Sequence, residues 1–201
     1  MASNNYIYKM SNAGGMATVT RYTDMLAGNT TWNPWEPQGA YDALSTVTVP
    51  SGGLASITFA GIPNTYKHLQ IRGIQKMTTA TRWSWMQFNG DTGASQYTYH
   101  SLQGNGSSAS AAGSGFATSY GRVTLADTQF GGVVFDILDY TNTSKIKVVR
   151  SLWGVDLNGS GYVGINSAAW NSTAAISSIT IGCEGADTYT QNSQFTLFGV
   201  K

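Results

Sequence analysis

A chain of 201 residues has room for one full β-sandwich core, or one smaller domain with an extension, and is too short for two large domains. Charged residues are only 10% of it, against roughly 25% in an average soluble protein, and the net charge is +1. That balance gives no electrostatic case for nucleic acid or an anionic membrane as a partner, and no window approaches the roughly 20 apolar residues of a membrane span.

Residues 1–42 stand apart from the rest. They carry scattered aromatics (Tyr6, Tyr8, Tyr22, Trp32, Trp35, Tyr41), Gly14-Gly15 and the prolines Pro34 and Pro37, with no sustained period of two or 3.6. Such a segment is poorly suited to folding alone, yet it is too apolar for an ordinary disordered tail. It is expected to be an arm that becomes ordered on another surface; packing on its own domain as irregular coil is the alternative. The opening MASNNYIYKMSNAGGM has no basic stretch followed by an apolar core, so no signal peptide is expected.

From Ser45 a strand pattern begins. Val47 and Val49 alternate with Thr46 and Thr48, Pro50-Ser51-Gly52-Gly53 turns the chain, and Ala55, Ile57 and Phe59 alternate again, which predicts a hairpin. Strands follow at 69–72, 83–88 and 96–102, the last after the turn Asn89-Gly90-Asp91-Thr92-Gly93. The run GNGSSASAAGSG at 104–115 is too small and polar to pack and is expected to be a long surface loop. After a weaker strand around 116–125 comes the stretch on which the chain is centred, residues 131–153. Here Val133, Phe135 and Ile137 alternate with Val134, Asp136 and Leu138, so that nearly both faces are apolar, as suits a central strand packed against a second sheet. A polar break at 141–144 leads to a partner strand bearing Lys145, Lys147 and Arg150, expected to be more exposed. The loop DLNGSG at 156–161 precedes a strand at 162–168, and strands at 175–181 and 194–200 finish the chain. About ten short strands with turn signals every 8–15 residues predict a sandwich or barrel, with the end of the chain held within a sheet.

Candidate chemistry is sparse. The lone Cys183 follows an apolar run, allows no intramolecular disulfide or cysteine-based zinc site, and is expected to be buried and inert. His68 and His100 have no nearby partner at metal-binding spacing, and His100 is expected on the outer face opposite Tyr97 and Tyr99. No nucleophile motif is present. Of the carboxylates that could pair for glycoside hydrolysis, Asp136 and Asp139 flank the central strand while Asp91, Asp156, Glu184 and Asp187 are in turns, where such groups usually bond their own backbone. The loops at 156–160 and 89–91 cluster oxygens that could meet calcium, but neither has the spacing or closing carboxylate of an EF-hand. Trp83 with Trp85, and Tyr97 with Tyr99, lie two apart on their strands and could form stacking faces for a glycan; for the tryptophans, filling the core or a subunit interface is the favoured reading. Trp153 and Trp170 are expected in the core.

Five stretches, 41–72 (YDALSTVTVPSGGLASITFAGIPNTYKHLQIR), 88–111, 135–154 (FDILDYTNTSKIKVVRSLWG), 168–181 (AAWNSTAAISSITI) and 195–201 (FTLFGVK), together resemble a family of small β-sandwich proteins of tailed bacteriophages, of the marine and cyanophage type, known as virion structural, tail-fibre or head-decoration proteins. The resemblance implies an all-β, antiparallel, jelly-roll-like β-sandwich at 43–201 with an irregular N-terminal arm at 1–42, non-enzymatic and without catalytic residues, metal or cofactor. It implies a place on the virion surface after assembly in the host cytoplasm. Major capsid protein or tail proteins of the same phage would be the partners, reached through Tyr6, Tyr8, Tyr22, Trp32 and Trp35. A homo-oligomer, guessed to be a trimer, would follow the symmetry of its site. The expected function is capsid decoration or head fibre; the alternative is a tail-fibre or receptor-binding tip using Trp83, Trp85, Tyr97 and Tyr99 on host surface glycan.

Overall fold

The computed structural model describes residues 40–117 and 119–201. The expected arm, with Tyr6, Tyr8, Tyr22, Trp32 and Trp35, lies outside the described residues. Twelve strands, and no helix, occur among those described: β1 (Tyr41–Thr48), β2 (Ser56–Phe59), β3 (His68–Gln75), β4 (Arg82–Phe88), β5 (Tyr97–Gly104), β6 (Ala109–Ala117), β7 (Tyr120–Ala126), β8 (Gly131–Ile137), β9 (Lys147–Asp156), β10 (Gly161–Trp170), β11 (Ile179–Cys183) and β12 (Gln194–Val200). All pair antiparallel. They make an eight-stranded sheet, ordered β1-β12-β3-β8-β9-β10-β5-β6, and a four-stranded sheet, ordered β2-β11-β4-β7. The two layers form the expected all-β sandwich.

Strand alternation decides what the layers bury. Val133, Phe135 and Ile137 of β8 and Val149 and Trp153 of β9 point inward, where they meet Ile57, Phe59, Met86, Phe88, Ile179 and Ile181 of the smaller sheet. Each such side chain contributes about 1.5–3 kcal/mol on leaving water. Polar groups tie the layers together along β7. Ser151 Oγ donates to the Val123 carbonyl at 2.5 Å, Asn166 Nδ2 donates to the Arg122 carbonyl, and Trp153 Nε1 donates to Asn166 Oδ1 at 2.6 Å. Arg122 sits at a bulge with φ 79°, the left-handed region that non-glycine residues seldom adopt.

The central pair forms as the sequence predicts, with β8 and β9 adjacent at the middle of the large sheet. So does the turn after β9: Asn158 and Gly159 both have positive φ (60° and 102°), and Leu157 N–H donates to the Ser160 carbonyl at 2.9 Å, closing a two-residue hairpin. β9 is the more exposed of the pair, as expected, but its Lys147 is buried, the ammonium donating to the carbonyls of Asn142, Lys145 and Thr173. Three carbonyls meet the three donors and offset the cost of burial, although desolvation and then the Lys145 charge push its pKa down.

Three expectations are corrected. The run at 104–115 is not a long loop. Residues 105–108 make a turn in which Asn105 Oδ1 accepts from the backbone N–H of Ser107 and Ser108, and the remainder enters β6, paired along β5. Small side chains cannot fill a core, but an edge strand is held by main-chain hydrogen bonds, which composition does not report. The turn at 50–53 makes no hairpin: β1 joins β12 in the large sheet and β2 joins β11 in the small one, so the chain crosses between layers. The boundary at residue 42 moves as well. Tyr41 pairs with Val200, and the Asp42 carboxylate meets Lys201 Nζ at 2.9 Å, which makes both residues part of the sandwich.

Large rings are accommodated by glycine on the neighbouring strand. A Cβ at Gly164 would collide with the Trp153 indole, and one at Gly73 with the Phe195 ring. Gly164→Val is therefore expected to cost roughly 1–3 kcal/mol by overpacking, measured as a lowered urea midpoint with an unchanged slope.

Candidate interaction surface

The aromatic candidates divide. Tyr97 is fully buried, stacked on Trp170 with ring centroids 6.4 Å apart; its hydroxyl donates to the Asp91 carbonyl at 2.9 Å and accepts from Phe88 N–H. Burial pushes its phenol up to about 12. Tyr97 is thus no surface platform, because its strand parity faces the second sheet, and Tyr99 likewise packs against the core. Trp83 is half-buried, edge-on to Trp153 at 5.4 Å with the Arg122 guanidinium 5.3 Å above its ring. Trp85 is also half-buried. It lies across Gly182 and donates from Nε1 to the Cys183 carbonyl at 2.9 Å. Trp153 and Trp170 are in the core, as expected.

The titratable groups act within the fold. Burial, with the Asp187 charge, pushes the Cys183 thiol up to about 12, so it is a buried, unreactive group. Turn aspartates fasten their own loops: Asp91 accepts from Gly93 N–H at 2.9 Å and from Trp170 Nε1 at 2.8 Å, and Asp156 accepts from Asn158 N–H at 2.7 Å. Lys145 pairs with Asp139 and holds its carboxyl below the usual range. His68 Nδ1 accepts from Asp139 N–H at 2.9 Å. His100 is exposed on β5, four strand spacings from His68 on β3, or about 19 Å. The two cannot share a metal ion.

What the fold does expose is an apolar ladder. With one set of residues on β3, β8, β9, β10 and β5 turned to the core, the alternate set forms the outer face of the large sheet. The pairing places Val134 opposite Leu152, Leu152 opposite Ile165, and Ile165 opposite Leu102. Leu152, Ile165 and Leu102 are 56%, 52% and 50% exposed, far beyond what a buried layer tolerates. One step along the strands, Ile74 and Val163 flank the side-chain-free positions Gly132 and Gly154. One step the other way runs a polar row of Gln70, Asp136, Arg150, Ser167 and His100. Beyond that row Leu138 and Val148 are exposed again. A depression of about 660 Å³ lies between the ladder and the polar row.

Comparison with protein-family models, with curated proteins and with solved structures found no match for this chain.

A contiguous aliphatic row on a water-facing sheet is the composition of a contact surface, and its lack of aromatic rings suits protein better than sugar. The sequence held a signal for it. Val133 to Leu138 is apolar at both parities, but a two-layer sandwich buries only one face of each sheet, so the second set had to lie outside. At dilutions where the chain is monomeric, Leu152→Gln is expected to change stability by less than about 0.5 kcal/mol, whereas Trp153→Ala, one residue on, costs roughly 3–5 kcal/mol. Paired urea denaturation curves measure the contrast.

Proposed function

We propose that this chain is a non-enzymatic structural protein of the outer surface of a tailed bacteriophage particle, a capsid decoration or head-fibre protein assembled in the host cytoplasm and attached through its N-terminal segment. The observation that carries the reading is the apolar ladder on the outer face of the eight-stranded sheet, where Leu102, Leu152 and Ile165 stand in one cross-strand row with half or more of their surface exposed. A folded protein that displays such a row is made to be covered by protein. The resemblance of residues 41–201 to phage virion proteins supplies the setting, and the major capsid protein or tail proteins of the same phage are the partners it suggests.

The alternative is a tail-fibre or receptor-binding tip. Trp85, half-exposed and laid over Gly182, favours it, since an indole supported on glycine is the kind of platform on which a sugar ring stacks. Trp85→Ala with undiminished binding to host surface glycan would remove that reading.

The attachment test is made on particles. Because β1 begins at Tyr41, the truncation should start at Ala40, leaving every described strand intact. The full chain is expected in purified particles by mass spectrometry, and the truncated chain is expected to fold but to be absent. Normal incorporation of the truncated chain would contradict attachment through the N-terminal segment, and absence of the full chain would contradict the virion role.

A further inference from the structure

The central strands of the outer face of the eight-stranded sheet match themselves. We infer that this face is a self-association surface, covered by the same face of a second copy of this chain across a twofold axis parallel to the strands and running between β8 and β9. The inference deepens the proposed function in one respect: it takes the face as a protein contact and names the protein.

β8 and β9 are the fourth and fifth of eight strands, so an axis between them lies at the middle of the sheet. Rotation about it sets β8 on β9, β3 on β10, β12 on β5 and β1 on β6, with each strand covering one strand of the other copy. The cross-strand register then fixes which side chains meet. Val134 and Leu152 are partners in the ladder, so Val134 of one copy faces Leu152 of the other. Ile74 and Val163 share the next row, both being in register with the Gly132–Gly154 pair, and they face each other across the axis. Leu138 and Val148, adjacent beyond the polar row, do the same. Apolar meets apolar at the middle of all three rows, while at the flanks of the ladder Ile165 lies opposite Arg72 and Leu102 opposite Thr196.

The polar row decides the occupant. Asp136 and Arg150 are directly opposite in register, yet Asp136 Oδ1 takes its hydrogen bond from Gln70 Nε2 at 2.7 Å, on the side away from β9. Arg150 makes no ion pair within 4.0 Å among the described residues. A second copy across the axis brings its Arg150 to this Asp136, and its Asp136 to this Arg150. Two ion pairs form from one acid and one base, as an isologous contact requires. Arg72, which would otherwise add surplus positive charge, already stands 4.8 Å over the Tyr41 ring and 5.2 Å over Phe198, so it is occupied within its own chain.

Size agrees. Eight strands span about 34 Å and the four rows about 20 Å, which gives roughly 700 Å² on each copy. Stable interfaces bury about 800 Å² per partner. The pairing is twofold, unlike the trimer guessed from virion symmetry.

The test is sedimentation equilibrium of the full 201-residue chain, from about 1 to 50 μM, with circular dichroism as the check on folding. The wild-type chain is expected to dimerise. Asp136→Arg and Arg150→Asp should each weaken the dimer by about tenfold or more, and the double variant should return to within a few-fold of wild type, because reversing both charges restores both pairs. Leu152→Lys, at an exposed position, should leave the fold intact and give monomer. A wild-type monomer across the range, an oligomer indifferent to Leu152→Lys, or a double variant no better than the singles would each overturn the inference. Particle incorporation is measured separately, so failure here leaves the virion reading standing, and failure there leaves this one.

Discussion

The hydrogen bonds that join the large sheet to β7 set the terms for the rest of the molecule. Ser151 and Asn166 reach across the core to the carbonyls of Val123 and Arg122, and Trp153 donates to Asn166 between them. These groups are buried, and leaving any of them unpaired would cost about 1–3 kcal/mol. A one-residue slip of β9 would turn Ser151 and Trp153 out, away from Asn166, and bring Arg150 and Leu152 inside. The stitch therefore selects the parity of β9 and β10. In doing so it also determines which side chains the outer face displays.

That outer face follows from a mismatch of layers. The smaller sheet of four strands covers the inner side of the larger one, and nothing among the described residues covers the other side. Aliphatic residues at both parities of β8 serve the core with one set and the outer face with the other. Low overall charge fits the same picture, since a surface intended for burial against protein has little use for ions except where they fix register. Asp136 and Arg150 sit at the middle of the sheet, where one pair of opposite charges does that for a symmetric contact.

Most of the fold was legible. Alternation located the β8–β9 pair, the Asn158-Gly159 turn and the final strand, because each carries its information locally. What was missed is set by partners distant in sequence. Strand β6 is held by the main chain of β5, which a Gly/Ser/Ala composition cannot signal. The assignment of β1 and β2 to different sheets depends on β12 and β11, more than a hundred residues away. Lys147 reads as a surface residue until Asn142 and Thr173 supply carbonyls to it. The candidate surface was half-visible: Leu102, Leu152 and Ile165 fall within the expected strands, but they become one row only through the register of the strand pairs. Tyr97, in contrast, looked like a surface platform and is committed to Asp91 and Phe88 inside the fold.

The outer face of the eight-stranded sheet is proposed as a contact surface within a phage particle. A cryo-electron-microscopy map of the intact particle tests this most directly. This chain is expected on the outside of the particle, with Leu152 and Ile165 covered by the same face of a second copy. A map in which the chain is present and that face stands open to solvent would contradict the proposal.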